Sequence, residues 1–158
     1  MKKKISLLVS LIIGFILGIQ VMGKKNKKNL QTRLLISNKN LMLFRVMTQW
    51  VKIKQEGKNL SEYFERAGYK KIAIYGMGYI GETLLSELRR TETEVLYGID
   101  QNADTLYANI NIVSLEEELP EVDVVIITLV DSFEAISEKI HRKIDCPVIS
   151  IVDLVYDI

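Results

Sequence analysis

A glycine motif between two apolar segments constrains the fold of this chain more than any other feature. Residues 71–75 read Lys-Ile-Ala-Ile-Tyr, the pattern of a short buried strand, and they run into Gly-Met-Gly-Tyr-Ile-Gly at 76–81. Apolar residues at helical spacing follow: Ile80, Leu84, Leu85 and Leu88. A G-x-G-x-x-G motif that joins a strand to a helix is typical of a βαβ unit that binds a dinucleotide.

Each glycine of the motif has its own predicted role. Gly76 permits a tight turn, Gly78 lets the backbone approach a pyrophosphate, and Gly81 lets the helix lie close to the strand. The start of the helix supplies free N–H groups and a partial positive charge. We therefore expect cofactor contacts from Gly76, Gly78, Tyr79, Ile80 and Gly81. The alternative is that these glycines only allow tight packing in a domain that has no ligand.

An acidic residue after the next predicted strand extends the site. The strand at 94–99 is followed by Asp100, 19 residues after Gly81 and close to the spacing at which such folds place the acid that binds ribose hydroxyls. A carboxylate there would repel a 2′-phosphate, so NAD is favoured over NADP. The alternative for Asp100 is an Asp-Gln-Asn turn that needs no ligand. Thr128, predicted at the end of the fourth strand, is a further candidate contact.

The remaining pattern completes an α/β fold. Further strands are expected around Ile110 and Ile112, at 122–129 and at 147–152, and helices at 115–119 after Ser114 and from Ser132 onward. Alternating strands and helices predict a doubly wound, Rossmann-like parallel sheet, with the strand order 3-2-1-4-5. This domain is assigned to residues 69–158.

The chain begins with an uncharged segment between lysines. Residues 5–23 carry no charge, and a helix over Ile5–Met22 would rise about 27 Å, close to the roughly 30 Å of a bilayer core. The alternative is a cleaved signal peptide, but the segment lacks the small-residue cleavage pattern. We therefore predict a transmembrane anchor over 1–23 in the cell membrane, crossing once, with the globular domain in the cytoplasm. Gly14 and Gly18 form a GxxxG pair that can support a homo-oligomer.

The charges of the chain are divided unevenly. Residues 1–58 carry 13 Lys/Arg and one acidic residue, a net charge of +12, whereas residues 59–158 carry 8 Lys/Arg and 19 Asp/Glu, a net charge of −11. The basic part suits an anionic membrane surface. The acidic domain excludes nucleic acid as a partner, because a phosphate backbone requires a basic face.

Residues 24–68 are predicted to connect the anchor to the domain. Residues 24–40 are a basic linker or a frayed helix start, a helix follows from Leu41, and a short helix follows an N-cap at Asn59. The apolar face of the first helix is expected to contain Leu43, Phe44, Met47, Trp50, Val51 and the stem of Lys54.

No catalytic or metal site is predicted. His141 is the only histidine and Cys146 the only cysteine, which excludes an intramolecular disulfide and a site with two His ligands. His141 is expected at a helix end, where a cation suits the helix dipole, and Cys146 is expected to be a small buried apolar residue. The chain is therefore not expected to be an enzyme on its own.

Residues 70–153 resemble the small Rossmann-like domains of bacterial cell-surface polysaccharide and nucleotide-sugar systems. The segments that carry the resemblance are KIAIYGMGYIG, VLYGIDQN, INIVSLEEEL and VDVVIIT. They are also similar to the NAD-binding part of redox-sensing repressors. The resemblance implies that Gly76, Gly78, Gly81 and Asp100 bind NAD or a nucleotide sugar, and that the chain is an accessory or regulatory partner of a surface-polysaccharide enzyme.

The chain departs from these families in three ways. It lacks the second, substrate-binding domain of the enzymes, the Tyr-x-x-x-Lys pair of the epimerases and the winged helix of the repressors. Two alternatives therefore remain, a scaffold without a ligand and a part of a nicotinamide- or nucleotide-sugar-dependent enzyme.

Overall fold

The computed structural model describes the backbone of residues 2–103 and 109–158. Side chains are described for Met22 and from Lys25 onward within those ranges. The chain divides into two compact units, Met1–Leu41 and Met42–Ile158.

The first unit is helical and belongs to helix α1, which runs Lys2–Gln55. Residues 24–40 are helical. The sequence predicted either a basic linker or a frayed helix start there. Within the described residues, no helix contains a stretch that is both long and apolar enough to cross a bilayer. The predicted anchor at 1–23 and the Gly14 and Gly18 pair fall, apart from Met22, on side chains outside the described part. Both stay predictions.

A five-stranded sheet forms the centre of the second unit. Its strands are β1 Lys71–Tyr75, β2 Glu94–Ile99, β3 Asn111–Val113, β4 Val124–Ile127 and β5 Val148–Ser150. All neighbouring strands pair in parallel, in the order β3-β2-β1-β4-β5. The predicted α/β class and strand order are confirmed.

Helices cover both faces of this sheet. They are α2 Ser61–Ala67, α3 Tyr79–Leu88, α4 Phe133–His141 and α5 Ile151–Tyr156. Ile74 and Ile126 pack with residues of α1, α2, α3 and α5, whereas Val125 and Ile127 pack with residues of α4. Because both faces are buried, the interior strand β4 is apolar at every position.

An acidic side chain joins the amino-terminal ends of two neighbouring strands, β1 and β4. Asp123 Oδ2 accepts hydrogen bonds from the N–H groups of Lys71 and Lys70, both at 2.7 Å. The bond from Lys71, and to a smaller extent the bond from Lys70, lowers the pKa of the Asp123 carboxyl although the residue is exposed. The contact ties the start of β4 to the start of β1.

The predicted helix at 115–119 is a single turn instead. Ser114 N–H donates to Glu117 Oε1 at 2.6 Å, which is one of the two bonds of a capping box, and Ser114 Oγ accepts from Glu116 N–H at 3.3 Å. Pro120 follows closely, and a residue before proline avoids the α-helical region. The turn therefore starts as a helix but does not continue.

The last predicted strand is also shorter than expected. It ends at Ser150, and α5 begins at Ile151. Ser150 Oγ accepts a hydrogen bond from Val152 N–H at 3.1 Å, which makes Ser150 an N-cap. The N-cap residue of α2 is Leu60 rather than the predicted Asn59. Glu62 Oε1 nevertheless accepts a hydrogen bond from Asn59 N–H at 3.0 Å, as the spacing of the two residues predicts.

The buried face of α1 agrees with the predicted one at Trp50 and, in part, at Leu43, but not at Phe44 and Val51. In residues 42–55, the side chains buried against the domain are Val46, Trp50 and Ile53, whereas Phe44 is 68% and Val51 51% exposed. Both sets have helical spacing, so periodicity alone does not choose between them.

A carboxylate on α3 fixes the position of Trp50, which belongs to both sets. Glu87 Oε2 accepts from Trp50 Nε1–H at 2.6 Å, and Oε1 accepts from Leu60 N–H at 2.8 Å and from Lys54 Nζ at 3.0 Å. The Lys54 ammonium also contacts Asn59 Oδ1. Glu87 therefore joins α1, the start of α2 and α3.

Candidate functional site

The glycine motif lies at the carboxyl end of β1, where the chain turns into α3. In the sheet, β1 pairs with β2 on one side and with β4 on the other. The strands that follow β1 in the chain are therefore added first on one side of it and then on the other. In open α/β sheets, ligands bind in the crevice at such a switch point. We call residues 76–81 the glycine loop.

Gly76 is required by the fold. Its φ of +92° lies in the left-handed region, and its N–H donates to Ile99 O at 2.8 Å. A Cβ at this position would lie 2.5 Å from Leu129 Cδ1 and 2.7 Å from Thr128 Oγ1. A side chain is therefore excluded both by conformation and by space.

Gly81 is also required by the fold, but Gly78 is not. A Cβ on Gly81 would lie less than 3.0 Å from the Gly76 carbonyl oxygen, so α3 can rest on the loop only without a side chain there. A Cβ on Gly78, in contrast, would meet no atom within 4 Å, and its φ of −82° suits any residue. The fold thus leaves open space at the middle glycine.

Asp100 is brought to the glycine loop. Its Oδ2 accepts a hydrogen bond from Met77 N–H at 2.9 Å, and its Oδ1 accepts one from Asn102 N–H at 2.9 Å. The bond from Met77 N–H orients the loop. The bond from Asn102 N–H forms the Asp-Gln-Asn turn, which is the alternative role of Asp100. A carboxylate has about four lone-pair positions, so Asp100 retains capacity to accept from a ligand. Its contact with ribose stays a prediction.

Thr128 lies against the base of the loop. It is buried, and its Oγ1 lies 2.6 Å from Gly76 O and 3.0 Å from Tyr75 O. The hydroxyl has one hydrogen to donate, and both neighbours are carbonyl oxygens, so its donor is used inside the protein. Thr128 therefore supports the turn after β1, and its contact with a ligand stays a prediction.

The first turn of α3 has one exposed and one buried side chain. Tyr79 is 92% exposed, whereas Ile80 is in the core and has only its backbone available to a ligand. The first helical bond is from Glu82 N–H to Gly78 O at 2.9 Å. The N–H groups of Tyr79, Ile80 and Gly81 therefore precede the hydrogen-bonded part of the helix. The Glu82 side chain is exposed.

Sequence analysis did not identify Met77, within the loop, or Gly98 and Tyr75, at the neighbouring strands. Met77 is buried, and its side chain covers Gly98 so closely that a Cβ on Gly98 would lie 2.7 Å from Met77 Cγ. A glycine inside a strand indicates such a close approach, so Gly98 was a usable signal. Tyr75, at the end of β1, is half-buried. Burial raises the pKa of its phenol, and the negative charge of Asp100 raises it further by a smaller amount.

The histidine and the cysteine lie away from this arrangement. His141 is exposed and is the last residue of α4. Cys146 is buried, and burial raises the pKa of its thiol. Among residues 2–103 and 109–158, no group of three or more His, Cys, Asp or Glu side chains is placed to hold a metal ion.

Comparison with known proteins identifies one family. Residues 68–151, more than half of the chain, match the family model described as C2185-like, N-terminal. The matched range contains all five strands, the glycine loop, Asp100 and Thr128. No curated protein and no solved structure matches the chain.

Proposed function

The chain belongs to the family described as C2185-like, N-terminal. From the geometry of the glycine loop, we propose that this domain binds a nucleotide there. The favoured ligand is NAD, with a nucleotide sugar as a related candidate. The observation that carries the proposal is the contrast among the three glycines. Gly76 and Gly81 are explained by the fold, whereas Gly78 borders open space at the start of a helix. A pyrophosphate would account for that space.

The electrostatics of the loop support an anionic ligand. The free N–H groups at the start of α3 and the helix dipole favour phosphate. Asp100, held beside the loop by its bond from Met77 N–H, would accept hydrogen bonds from the ribose hydroxyls of the same ligand. Its negative charge disfavours the 2′-phosphate of NADP. Tyr79, exposed at the helix start, is available to contact the ligand from the solvent side.

The module is proposed to be regulatory or accessory, with a membrane anchor over residues 1–23. His141 is the last residue of α4, which leads away from the carboxyl end of β4, so it lies toward the opposite edge of the sheet from the loop. Its position therefore gives no support to a role for His141 in catalysis at the loop. The lysine-flanked apolar segment supports the anchor and a cytoplasmic domain. The resemblance to surface-polysaccharide domains supports an enzyme of that kind as the partner.

A second candidate function is a scaffold without a ligand. The observation that favours it is that both oxygens of Asp100 and the hydroxyl of Thr128 have partners inside the protein. In that case the polar groups around the loop serve only to hold the turn. The two candidates differ in whether a nucleotide binds.

Titration calorimetry of the full chain with NAD, NADH, NADP and a nucleotide sugar separates the candidates. We expect NAD to bind more tightly than NADP. Asp100→Ala should weaken the binding free energy of NAD by about 1–3 kcal/mol, the scale of a lost charge-assisted hydrogen bond. Asp100→Asn keeps an acceptor for Met77 N–H but removes the charge, so it should narrow the preference for NAD. Asp145→Ala, an exposed acid away from the loop, is the matched control.

A Gly78→Val variant completes this test. The fold has room for a side chain at this position, so the variant should melt like the native protein yet fail to bind NAD. If the native chain gives no heat with any of these nucleotides at millimolar concentration, the loop is structural and the scaffold is the correct function.

The anchor is tested separately by alkaline carbonate extraction. The full chain should stay with membranes, whereas a variant without residues 1–23 should be released. Release of the full chain, or an amino terminus near residue 24, would contradict the anchor. Labelling of a cysteine placed beyond Lys28 by an impermeant reagent outside the cell would reverse the orientation.

A further inference from the structure

The part of α1 in the second unit has one covered face and one open face. Over residues 42–55, Val46, Trp50 and Ile53 pack into the core of the domain. Opposite them, Phe44 is 68%, Met47 36% and Val51 51% exposed. We call Phe44, Met47 and Val51 the outer stripe. Three large apolar side chains on one helix face are more than scattered surface residues require.

A groove beside α3 extends this apolar surface. It has a volume of about 550 Å³, and Met47 and Val51 of the outer stripe line it together with Thr83 and Ser86 of α3. Trp50 and Glu87, which join the two helices, also border the groove. The hydrogen bond between α1 and α3 therefore lies at the border of the groove.

The sequence spacing along α1 indicates what covers the outer stripe. The residues Leu30, Leu34, Ser37, Leu41, Phe44, Thr48 and Val51 follow one another at alternating steps of four and three. In the first unit, Leu30, Leu34 and Leu41 are exposed. Alternating steps of four and three are the a/d repeat of a coiled coil, in which one helix packs against another with the same repeat. Phe44 and Val51 of the outer stripe occupy d positions of this repeat.

The flanking charges permit pairing with an identical helix. In a parallel pair, the e and g positions that face each other across the seam combine Arg33 with Asn38, Asn40 with Arg45, and Met47 with Lys52. Each basic side chain thus meets a neutral one, although α1 as a whole is strongly basic. An identical helix can therefore approach without a direct clash of like charges.

We propose that the outer stripe packs against the outer stripe of a second copy of this chain, as a parallel helix pair that also covers the groove beside α3. The inner face of α1 is already used by its own domain, so only the outer face is available for such a contact. The interface is independent of nucleotide binding and of the Gly14 and Gly18 pair. It would place two glycine loops in one assembly.

Cross-linking of the full chain tests the parallel register. In a Cys146→Ser background, Val51→Cys places identical cysteines opposite each other in the seam, and they should form a disulfide-linked dimer at least tenfold faster than Leu35→Cys. Leu35 is an exposed residue of the same helix that lies outside the repeat, which makes it the matched control. Equal rates for the two variants would overturn the proposal.

Light scattering of the full chain in detergent measures the mass directly. The native chain should be a dimer, Phe44→Glu with Val51→Glu should raise its dissociation constant at least tenfold, and Leu35→Glu should leave it unchanged. Phe44 and Val51 lie outside the core of the single chain, so the double variant should still fold, and its melting temperature should fall only by the stability that dimerisation contributes. A monomeric native chain, or a dimer that survives the double substitution, would show that something other than a second copy covers the stripe. The cysteine experiment decides the matter if the double variant does not fold.

Discussion

The packing of α3 on the glycine loop makes Gly81→Ala the most direct test of the site geometry. An added Cβ would lie less than 3.0 Å from the Gly76 carbonyl oxygen, 3.2 Å from its carbonyl carbon and 3.5 Å from Ile74 Cγ2. The two nearest atoms are backbone atoms, so no side-chain rotation relieves the overlap. Either α3 or the turn after β1 has to move.

The cost follows from two opposing terms. Overpacking of a well-packed site costs typically about 1–3 kcal/mol, and a backbone neighbour puts this site at the upper end of that range. Alanine gains up to about 1 kcal/mol over glycine in a helix. The expected loss is therefore about 2 kcal/mol of unfolding free energy, which for a domain of this size lowers the melting temperature by roughly 6–10 °C.

Urea unfolding followed by tryptophan fluorescence measures this loss. Trp50 is the only tryptophan and is 3% exposed, so its emission reports on the unfolding of the domain. The matched control is Gly78→Ala, which meets no atom within 4 Å and should change the unfolding free energy by less than about 0.5 kcal/mol. If Gly81→Ala is as stable as the native protein, or both variants lose the same amount, the assignment of separate roles to these glycines is refuted.

Two further substitutions test contacts that the fold depends on. Glu87→Ala removes the acceptor of Trp50 Nε1–H and Leu60 N–H, so it should cost about 3 kcal/mol of unfolding free energy, whereas Glu87→Gln, which keeps one acceptor, should cost less; equal losses in urea unfolding would contradict this. The pKa of Asp123 is lowered in the folded state, so the stability it contributes is present above its usual pKa of 3.8 and is lost as the pH falls through the lower, folded value. Asp123→Asn should therefore flatten the pH dependence of the unfolding free energy below about pH 4, and an unchanged slope would count against the contact.

Much of the fold follows from local patterns in the sequence. The apolar run at 124–127 is a strand buried on both faces, and the glycine motif marks the turn from β1 into α3, because each pattern needs only neighbouring residues to define it. The strand order then follows from right-handed crossovers. The candidate site was predicted for the same reason, since the motif and Asp100 lie at the ends of predicted strands.

Features that depend on distant residues required the tertiary structure. Two sets of α1 residues that share Trp50 have equally good helical spacing, and only the packed core shows that Val46 and Ile53, rather than Phe44 and Val51, are buried with it. The sequence predicts that Asp100 contacts ribose, and only the folded chain shows that this carboxylate accepts a hydrogen bond from Met77 N–H. Periodicity and motifs describe which groups a segment can offer, whereas the partner that uses each group is set by the packing of segments far apart in the chain.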